Sequence, residues 1–381
     1  MGLLSSSIFA QEASQFQLQQ MKEFNAYKKT QEDGFQAYQK AQVEAYKNYK
    51  KELSAFWDKP KLSSKKTWVE YTEDKKTRTD VDFANNTVTV ETIASSEEEA
   101  KQKLKMALAY AVTVDTKTAE QRDELEKRLK KIKKPSNVVT SEVKAEPILS
   151  NVVFTKKPTK KSVREYVEKH VSDKKITSTK SDKIKNAKVY RVTVKLPSDT
   201  MIKRSKLYIE EVRKNAHKQK LPVPLIFAIM HTESSFNPRA RSHIPAYGLM
   251  QIVPKTAGVD TYLYLYKKKK LVSGTYLYNS SNNIKMGSAY LHILYYRYLK
   301  KIKDPTSRLY CTIAAYNTGA GNIAWAFTKT YNMNRAAPLI NKMTPDEVYA
   351  KLLNDLRWDE PKRYLKKVSK RMGAYHKLYG V

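Results

Sequence analysis

Phe35, Tyr38, Gln42, Tyr46, Tyr49, Leu53 and Phe56 recur at steps of three and four residues on a Lys- and Gln-rich background, the period of one helix face. A long amphipathic helical segment is therefore predicted within residues 11–63. Its aromatic stripe suits packing on the rest of the chain, pairing with another helix, or lying on a membrane surface, and packing is the favoured use. Past residue 63 the period changes. Val88, Val90 and Thr92, and later Tyr190, Val192, Val194 and Leu196, alternate as half-buried strands do. Asn85 and Asn86, between Phe83 and Val88, suit a hairpin turn. Residues 97–133 read as highly charged helix and 134–186 as a Lys-, Ser- and Pro-rich stretch with short helices. Residues 64–200 are thus expected to form a small α+β domain, in which the pattern marks no site.

In the carboxyl half the apolar positions return to helical spacing. Pro224 suits a first helical turn, and Pro238 disfavours helix at Asn237, so a helix is predicted from about residue 224 to about 235. Ile226, Ile229, Met230 and Glu233 share one stripe of it. A carboxyl facing an apolar stripe is poorly solvated, which disfavours its charged form and raises its pKa towards the range where it can donate a proton near neutral pH. That is the property of a general acid. A Glu near a helix end is more often a solvated or ion-paired surface group, so the neighbouring segments decide.

Two of them bear on it. Ala246-Tyr247-Gly248-Leu249-Met250-Gln251-Ile252-Val253-Pro254 is an apolar turn led by glycine with one side-chain amide, and Ala314-Ala315-Tyr316-Asn317-Thr318-Gly319-Ala320-Gly321-Asn322 ends an apolar helix in a polar glycine loop. Glycine loops let a substrate approach the backbone closely. Glu233-Ser234-Ser235-Phe236-Asn237-Pro238, Gly248-Leu249-Met250-Gln251 and Ala315-Tyr316-Asn317 with Gly319 and Gly321, in this order, resemble the catalytic domain of the soluble-lytic-transglycosylase family of goose-type-lysozyme-like glycosidases. Asn283-Ile284, Gly287 and Tyr290-Leu291, and then Glu360-Pro361-Lys362-Arg363-Tyr364-Leu365, extend the likeness across about residues 205 to 375. Upstream, Trp57, Thr67 to Tyr71, Asp80 to Phe83 and Thr87 to Ile93 are similar to the amino-terminal domain of the transglycosylase C group.

The resemblance implies a reaction and a set of roles. Glycosidases ordinarily use two carboxylates, and only Glu233 sits in a matching motif. In this family the single acid protonates the leaving oxygen and then takes the proton of the C6 hydroxyl as it closes on C1 of the same sugar, leaving a 1,6-anhydro-muramyl end. Nucleophile and electrophile then belong to one ring, so position replaces the second side chain. By the same likeness Ser242 bonds near the acetamido or catalytic region, and Gln251 and Asn317 hold N-acetyl and hydroxyl groups. Tyr316 turns its hydroxyl to the acid, Tyr364 lines the cleft, and Glu360 meets the amine of a peptide stem. Val253 stands where some relatives carry methionine, which alters one subsite wall.

The expected architecture is multidomain α+β: a probable signal remnant in residues 1–10, the helical segment of 11–63, the α+β domain of 64–200, and a mainly helical lysozyme-like catalytic domain in 201–381. Composition adds four points. No apolar run approaches the roughly 18 to 20 residues of a membrane span. Met1 to Gln11 are apolar and small before the chain turns polar, which reads as the tail of a secretory signal and predicts a periplasmic protein. Cys311 is the sole cysteine, so no internal disulfide forms and no lipid-bearing cysteine at the amino terminus is carried over from the relatives. The six His show no ligand spacing, so no metal or other cofactor is implied.

Charge is uneven. The chain carries +34, and residues 201–381 hold 32 Lys and Arg against 10 Asp and Glu. A basic cleft would gather peptidoglycan, whose stems carry free carboxylates, in a salt-dependent way; a solvated Lys-rich surface is the plainer account. The basic amino-terminal helix is a candidate contact with a membrane or cell-wall protein. A nucleic-acid binder would also be basic and rich in tyrosine, but no helix-turn-helix, zinc-ligand spacing or ribonucleoprotein motif appears. The alternatives within the fold are a hydrolytic goose-type-like lysozyme and a wall-binding protein that has lost activity.

Overall fold

A computed structural model describes residues 29, 33–135, 138–242 and 245–380. All ten of the expected signal residues, like the rest of 1–28, lie outside it. The architecture is multidomain α+β, with a mainly helical lobe after a sheet-containing one.

Seven strands are present among the described residues: β1 (Thr67–Tyr71), β2 (Thr77–Asp82), β3 (Thr87–Ala94), β4 (Val138–Val139), β5 (Thr177–Lys180), β6 (Lys188–Lys195) and β7 (Leu271–Val272). Five build an antiparallel sheet in the order β1-β2-β3-β6-β5. Asn86, at φ 55°, takes the left-handed position in the β2–β3 turn, a conformation Asn tolerates better than most residues. β5 escapes the hydropathy pattern because all four of its residues are exposed and it pairs only with β6.

Both faces of the sheet are covered. The helix Glu97–Thr113 sets Leu104, Leu108, Ala111 and Val112 against Trp68, Val81, Phe83, Val88, Val90, Val192 and Val194. The other face takes Tyr49 and Leu53 of the amino-terminal helix, residues 33–53, together with Trp57, Leu125 and Leu129. The aromatic stripe of that helix is therefore spent on packing: Tyr49 and Leu53 are buried here, and Phe35 is buried where the helix reaches the helical lobe. Between the sheet's covers lies fully buried Glu91, held by Arg78 Nε and Arg191 Nη2 at 2.5 Å each. These charge-assisted bonds hold its carboxyl below the usual range despite burial.

The helical lobe is built around Val223–Ser234. Leu225 to Met230 are apolar all round and wholly buried, as expected of a central helix. Asp359–Tyr379 lies along it, with the Phe227 ring 4.6 Å from that of Tyr379 and 5.4 Å from that of Tyr375. Ile209–Gln219, Ser280–Ile293 and Pro305–Thr318 complete the shell. Cys311 is buried on the apolar face of the last of these.

The two lobes meet at a buried charge cluster. Arg239 and Arg241, from the chain just after Glu233, approach Asp123 and Glu126 at the start of the helix Glu124–Lys131, at 3.8 Å for Arg239–Asp123 and 3.4 Å for Arg241–Glu126. Tyr278 donates to Glu126 at 2.9 Å, and the guanidinium of Arg241 stacks over Tyr46 of the amino-terminal helix. Burial and the neighbouring Glu126 raise the Asp123 carboxyl above its usual range.

Candidate active site

The helix carrying Glu233 ends abruptly. Ser235 and Phe236 both take left-handed backbone, at φ 52° and 62°, and Pro238 follows. Neither residue is a glycine, so the turn holds local strain that the surrounding packing must offset. The reversal leaves Glu233 in the last helical turn, with only 6% of the residue exposed.

Three side chains hold the Gly248–Gln251 turn, one of them from this helix end. Ser234 donates from Oγ to the Leu249 carbonyl at 2.8 Å, and Tyr316 donates from its hydroxyl to the Met250 carbonyl at 2.8 Å. Asn283 accepts from Met250 N at 2.8 Å and donates to the carbonyls of Tyr247 and Leu277. Gly287 makes room for Met250: a Cβ there would lie 2.3 Å from its Sδ. Gly248, at φ 74°, allows the turn itself, and a Cβ on it would meet the Leu277 carbonyl at 2.4 Å. Met250 is thus fixed at its amide, its carbonyl and its side chain, which positions Gln251 beside it.

Burial raises the Glu233 carboxyl above its ordinary value. Lys65 and the Tyr364 hydroxyl pull it back, Glu360 pushes it up, and Lys66 lowers it again. The balance leaves an acid that keeps its proton at higher pH than a solvated Glu. Tyr364 faces the carboxyl, and burial next to that group raises the phenol far above its normal range.

The residues singled out by sequence are placed as follows. Tyr364 and Gln251 are buried near the acid; Gln251 adopts left-handed backbone at φ 50° and donates from Nε2 to the Gly248 carbonyl at 3.0 Å. Asn317 is half-buried at the end of Pro305–Thr318. Ser242 is half-buried, and its Oγ accepts from Ala246 N at 3.0 Å. Glu360 is largely exposed and lies 4.0 Å from Lys65 Nζ. The Tyr316 hydroxyl donates to the Met250 carbonyl, and its phenol is raised far above the normal range by burial and by the Glu233 carboxyl nearby; Tyr364 is a second tyrosine that turns to the acid.

Lys65, Lys66 and Arg371 went unmarked by the sequence, because nothing in hydropathy or motif spacing joins a loop ahead of β1 to a helix near the carboxyl end. Tertiary contacts do so. Asn237 Nδ2 reaches the carbonyls of Lys65 and Thr67, at 3.5 and 3.4 Å, and Arg241 N donates to the Ser64 carbonyl at 3.3 Å. The Ser63-Ser64-Lys65-Lys66 run was the available signal, a polar basic loop between two apolar elements.

Two buried polar atoms by the acid, Tyr364 Oη and Gln251 Oε1, lack close hydrogen-bond partners among the described residues. Such atoms are rare in folded interiors and mark places where a polar ligand belongs. A protonated acid flanked by amide and hydroxyl groups can donate a proton to an ether oxygen and bind a hydroxylated, acetamido-bearing polymer. Among the described residues no group of His, Cys, Asp and Glu is placed to hold a metal ion.

Residues 210–337 match the transglycosylase SLT domain, and residues 35–207 match the amino-terminal domain of membrane-bound lytic murein transglycosylase C. Membrane-bound lytic murein transglycosylase C of Serratia proteamaculans is 34% identical over 319 residues, covering 83% of this chain and 84% of that protein. The Klebsiella pneumoniae protein of the same name is 36% identical over 318 residues, covering 83% of each. The 70 kDa soluble lytic transglycosylase of Escherichia coli aligns over 48% of this chain and 26% of its own at 24% identity, with a TM-score of 0.37.

Proposed function

Because the chain belongs to the membrane-bound lytic murein transglycosylase C family of peptidoglycan-cleaving lyases, we propose that Glu233 alone carries the proton transfers of non-hydrolytic cleavage. The bond broken is the β-1,4 link between N-acetylmuramic acid and N-acetylglucosamine. Glu233 protonates the departing glycosidic oxygen, and positive charge develops at C1 of the muramyl sugar. The resulting carboxylate then accepts the proton of that sugar's C6 hydroxyl as O6 bonds to C1. One C–O bond breaks, one forms, and the acid ends protonated as it began. No water is consumed, so the product ends in 1,6-anhydro-N-acetylmuramic acid.

The observation that carries this reading is the isolation of Glu233. It is buried, and among the charged groups acting most strongly on it the sole carboxylate is Glu360, which is exposed and lies beside Lys65. A retaining or inverting hydrolase needs a second acid across the bond. Gln251, Asn317 and Ser242 serve as contacts for acetamido and hydroxyl groups, and Glu360 as a contact for a stem amine.

The site of action is the cell envelope, on the periplasmic side. Among the described residues no helix is long and apolar enough to cross a membrane. The basic face of the amino-terminal helix, left over once its aromatic stripe is packed, is the proposed surface for a membrane or cell-wall protein.

Digestion of purified sacculi followed by mass spectrometry tests the chemistry. Anhydro ends, lighter by one water than hydrolytic ones, are the expected product. Reducing ends throughout would instead assign a hydrolytic goose-type-like lysozyme.

A further inference from the structure

The sheet face under the helix Glu97–Thr113 turns polar at its β1–β2 corner. Trp68 and Val81 still belong to the core, but two residues further along each strand the same face carries Glu70 and Thr79, which pair in register, and then Thr77. A groove of about 560 Å³ opens there, lined by Glu70, Thr77, Thr79, Met106, Tyr110 and Arg122. Small-molecule sites run from roughly 300 to 1,000 Å³. Tyr110 donates to Glu70 Oε1 at 2.8 Å, and Arg122, its guanidinium 4.4 Å over the Tyr110 ring, brings Nε to 3.8 Å from the same oxygen. The other oxygen, Oε2, is buried without a partner among the described residues, on a side chain only 6% exposed. A carboxyl oxygen so placed is costly unless a ligand donates to it.

We propose that this groove in the sheet-containing lobe binds an aliphatic primary ammonium group, with Glu70 as its anion. Charge favours a cation. Glu73 and Asp74 of the β1–β2 hairpin line the groove with Glu70, and of the two cations facing these three carboxyls Lys103 already bonds Glu99 at 2.7 Å. In a chain of net charge +34 the sign is locally reversed. Shape favours an aliphatic stem behind the charge, because Met106, 73% exposed, and Ala107 make an apolar wall. Burial raises the Glu70 carboxyl to about 7; the Tyr110 bond, Arg122 and Arg239 pull it down, and Asp123 pushes it up. An ammonium beside Oε2 favours the ionised form, so ligand and carboxylate stabilise each other. Two sources share this chemistry: a free diamine, and the free amine of an uncrosslinked peptide stem. The second rests on the peptidoglycan reading above.

The test titrates the full chain, carrying ¹³C-methyl methionine, with cadaverine and follows the Met106 methyl resonance, assigned through Met106→Leu. A saturable shift is expected, absent with 1-pentanol, and the affinity should rise from about pH 6 to about pH 8 as Glu70 ionises while the amine stays charged. Glu70→Gln should weaken binding by about ten-fold or more through loss of a charge-assisted bond. No saturable shift, an equal shift with 1-pentanol, or undiminished binding by Glu70→Gln overturns the site. Should Glu70→Gln fail to fold, Met106→Lys at the exposed wall places a competing ammonium by the groove; calorimetry then reads the loss of cadaverine binding, and unchanged binding overturns the site equally. Sacculi separate the sources. If acetylating their amines weakens co-sedimentation of Glu233→Gln protein but not of the same protein with Met106→Lys, the stem amine is the ligand; if acetylation changes neither, the ligand is a free diamine. Cadaverine binding is read without turnover, so hydrolytic products from sacculi would sink the reaction assignment and leave this result standing.

Discussion

The Tyr364 hydroxyl faces the Glu233 carboxyl short of a close hydrogen bond, and no other group among the described residues accepts from it or donates to it. It is the one neutral group among the strongest influences holding the acid's pKa down against burial. Tyr364→Phe removes that influence, so the proton is held to higher pH. Since a general acid works while protonated, the alkaline limb of kcat/KM against pH should move upward in the variant. A limb that stays in place, or moves down, would remove Tyr364 from the acid's surroundings.

Glu233→Gln abolishes the proton donor while keeping its shape. Loss of a positioned acid costs about 10²- to 10⁴-fold in rate, and sacculus binding should remain. Stability gives a second readout. The folded pKa of Glu233 lies above its unfolded value near 4.5, so the native state holds the proton more tightly than the unfolded chain. Wild type therefore loses stability as pH rises from about that value through the raised pKa, whereas the Gln variant does not. Thermal unfolding midpoints should diverge in favour of Glu233→Gln between acid and neutral pH, and midpoints that stay parallel would mean a solvated carboxyl.

Gly287→Ala forces a Cβ to within 2.3 Å of Met250 Sδ. The displaced methionine shifts the turn that carries Gln251. Overpacking of this kind costs about 1–3 kcal/mol, seen as a lower unfolding midpoint, and kcat/KM should fall by more than the loss of folded protein explains. Wild-type turnover in a folded variant would show that the turn has slack.

Glu126→Ala leaves Arg239 and Arg241 buried at the junction with one fewer carboxylate, and removing one member of a buried pair typically costs about 3–5 kcal/mol. Chemical denaturation should show that loss. Protease susceptibility between the lobes should rise with it. An effect below 1 kcal/mol, on the order of an exposed pair, would show that water reaches the cluster.

The acid helix was legible because two prolines bracket it and its apolar residues leave little choice of face; its bounds, Val223–Ser234, lie within about one residue of those expected. The alternation at Val88, Val90, Val192 and Val194 likewise marked strands that a covered sheet requires. Three things were not legible. Strand β5 is wholly exposed and owes its existence to pairing with β6. The approach of the Tyr364 hydroxyl to the acid, beside Tyr316, is a matter of a few ångströms that spacing along the chain does not encode. Lys65 and Lys66 reach Glu233 only because Asn237 and Arg241 hold the backbone of the 64–67 loop.

That last arrangement makes acidity a shared possession of two lobes. A chain trimmed back to residue 67 would retain every motif of the reactive half and yet lose both ammonium groups that temper its buried carboxyl. Its working range would drift toward alkali, although no residue of its own had changed.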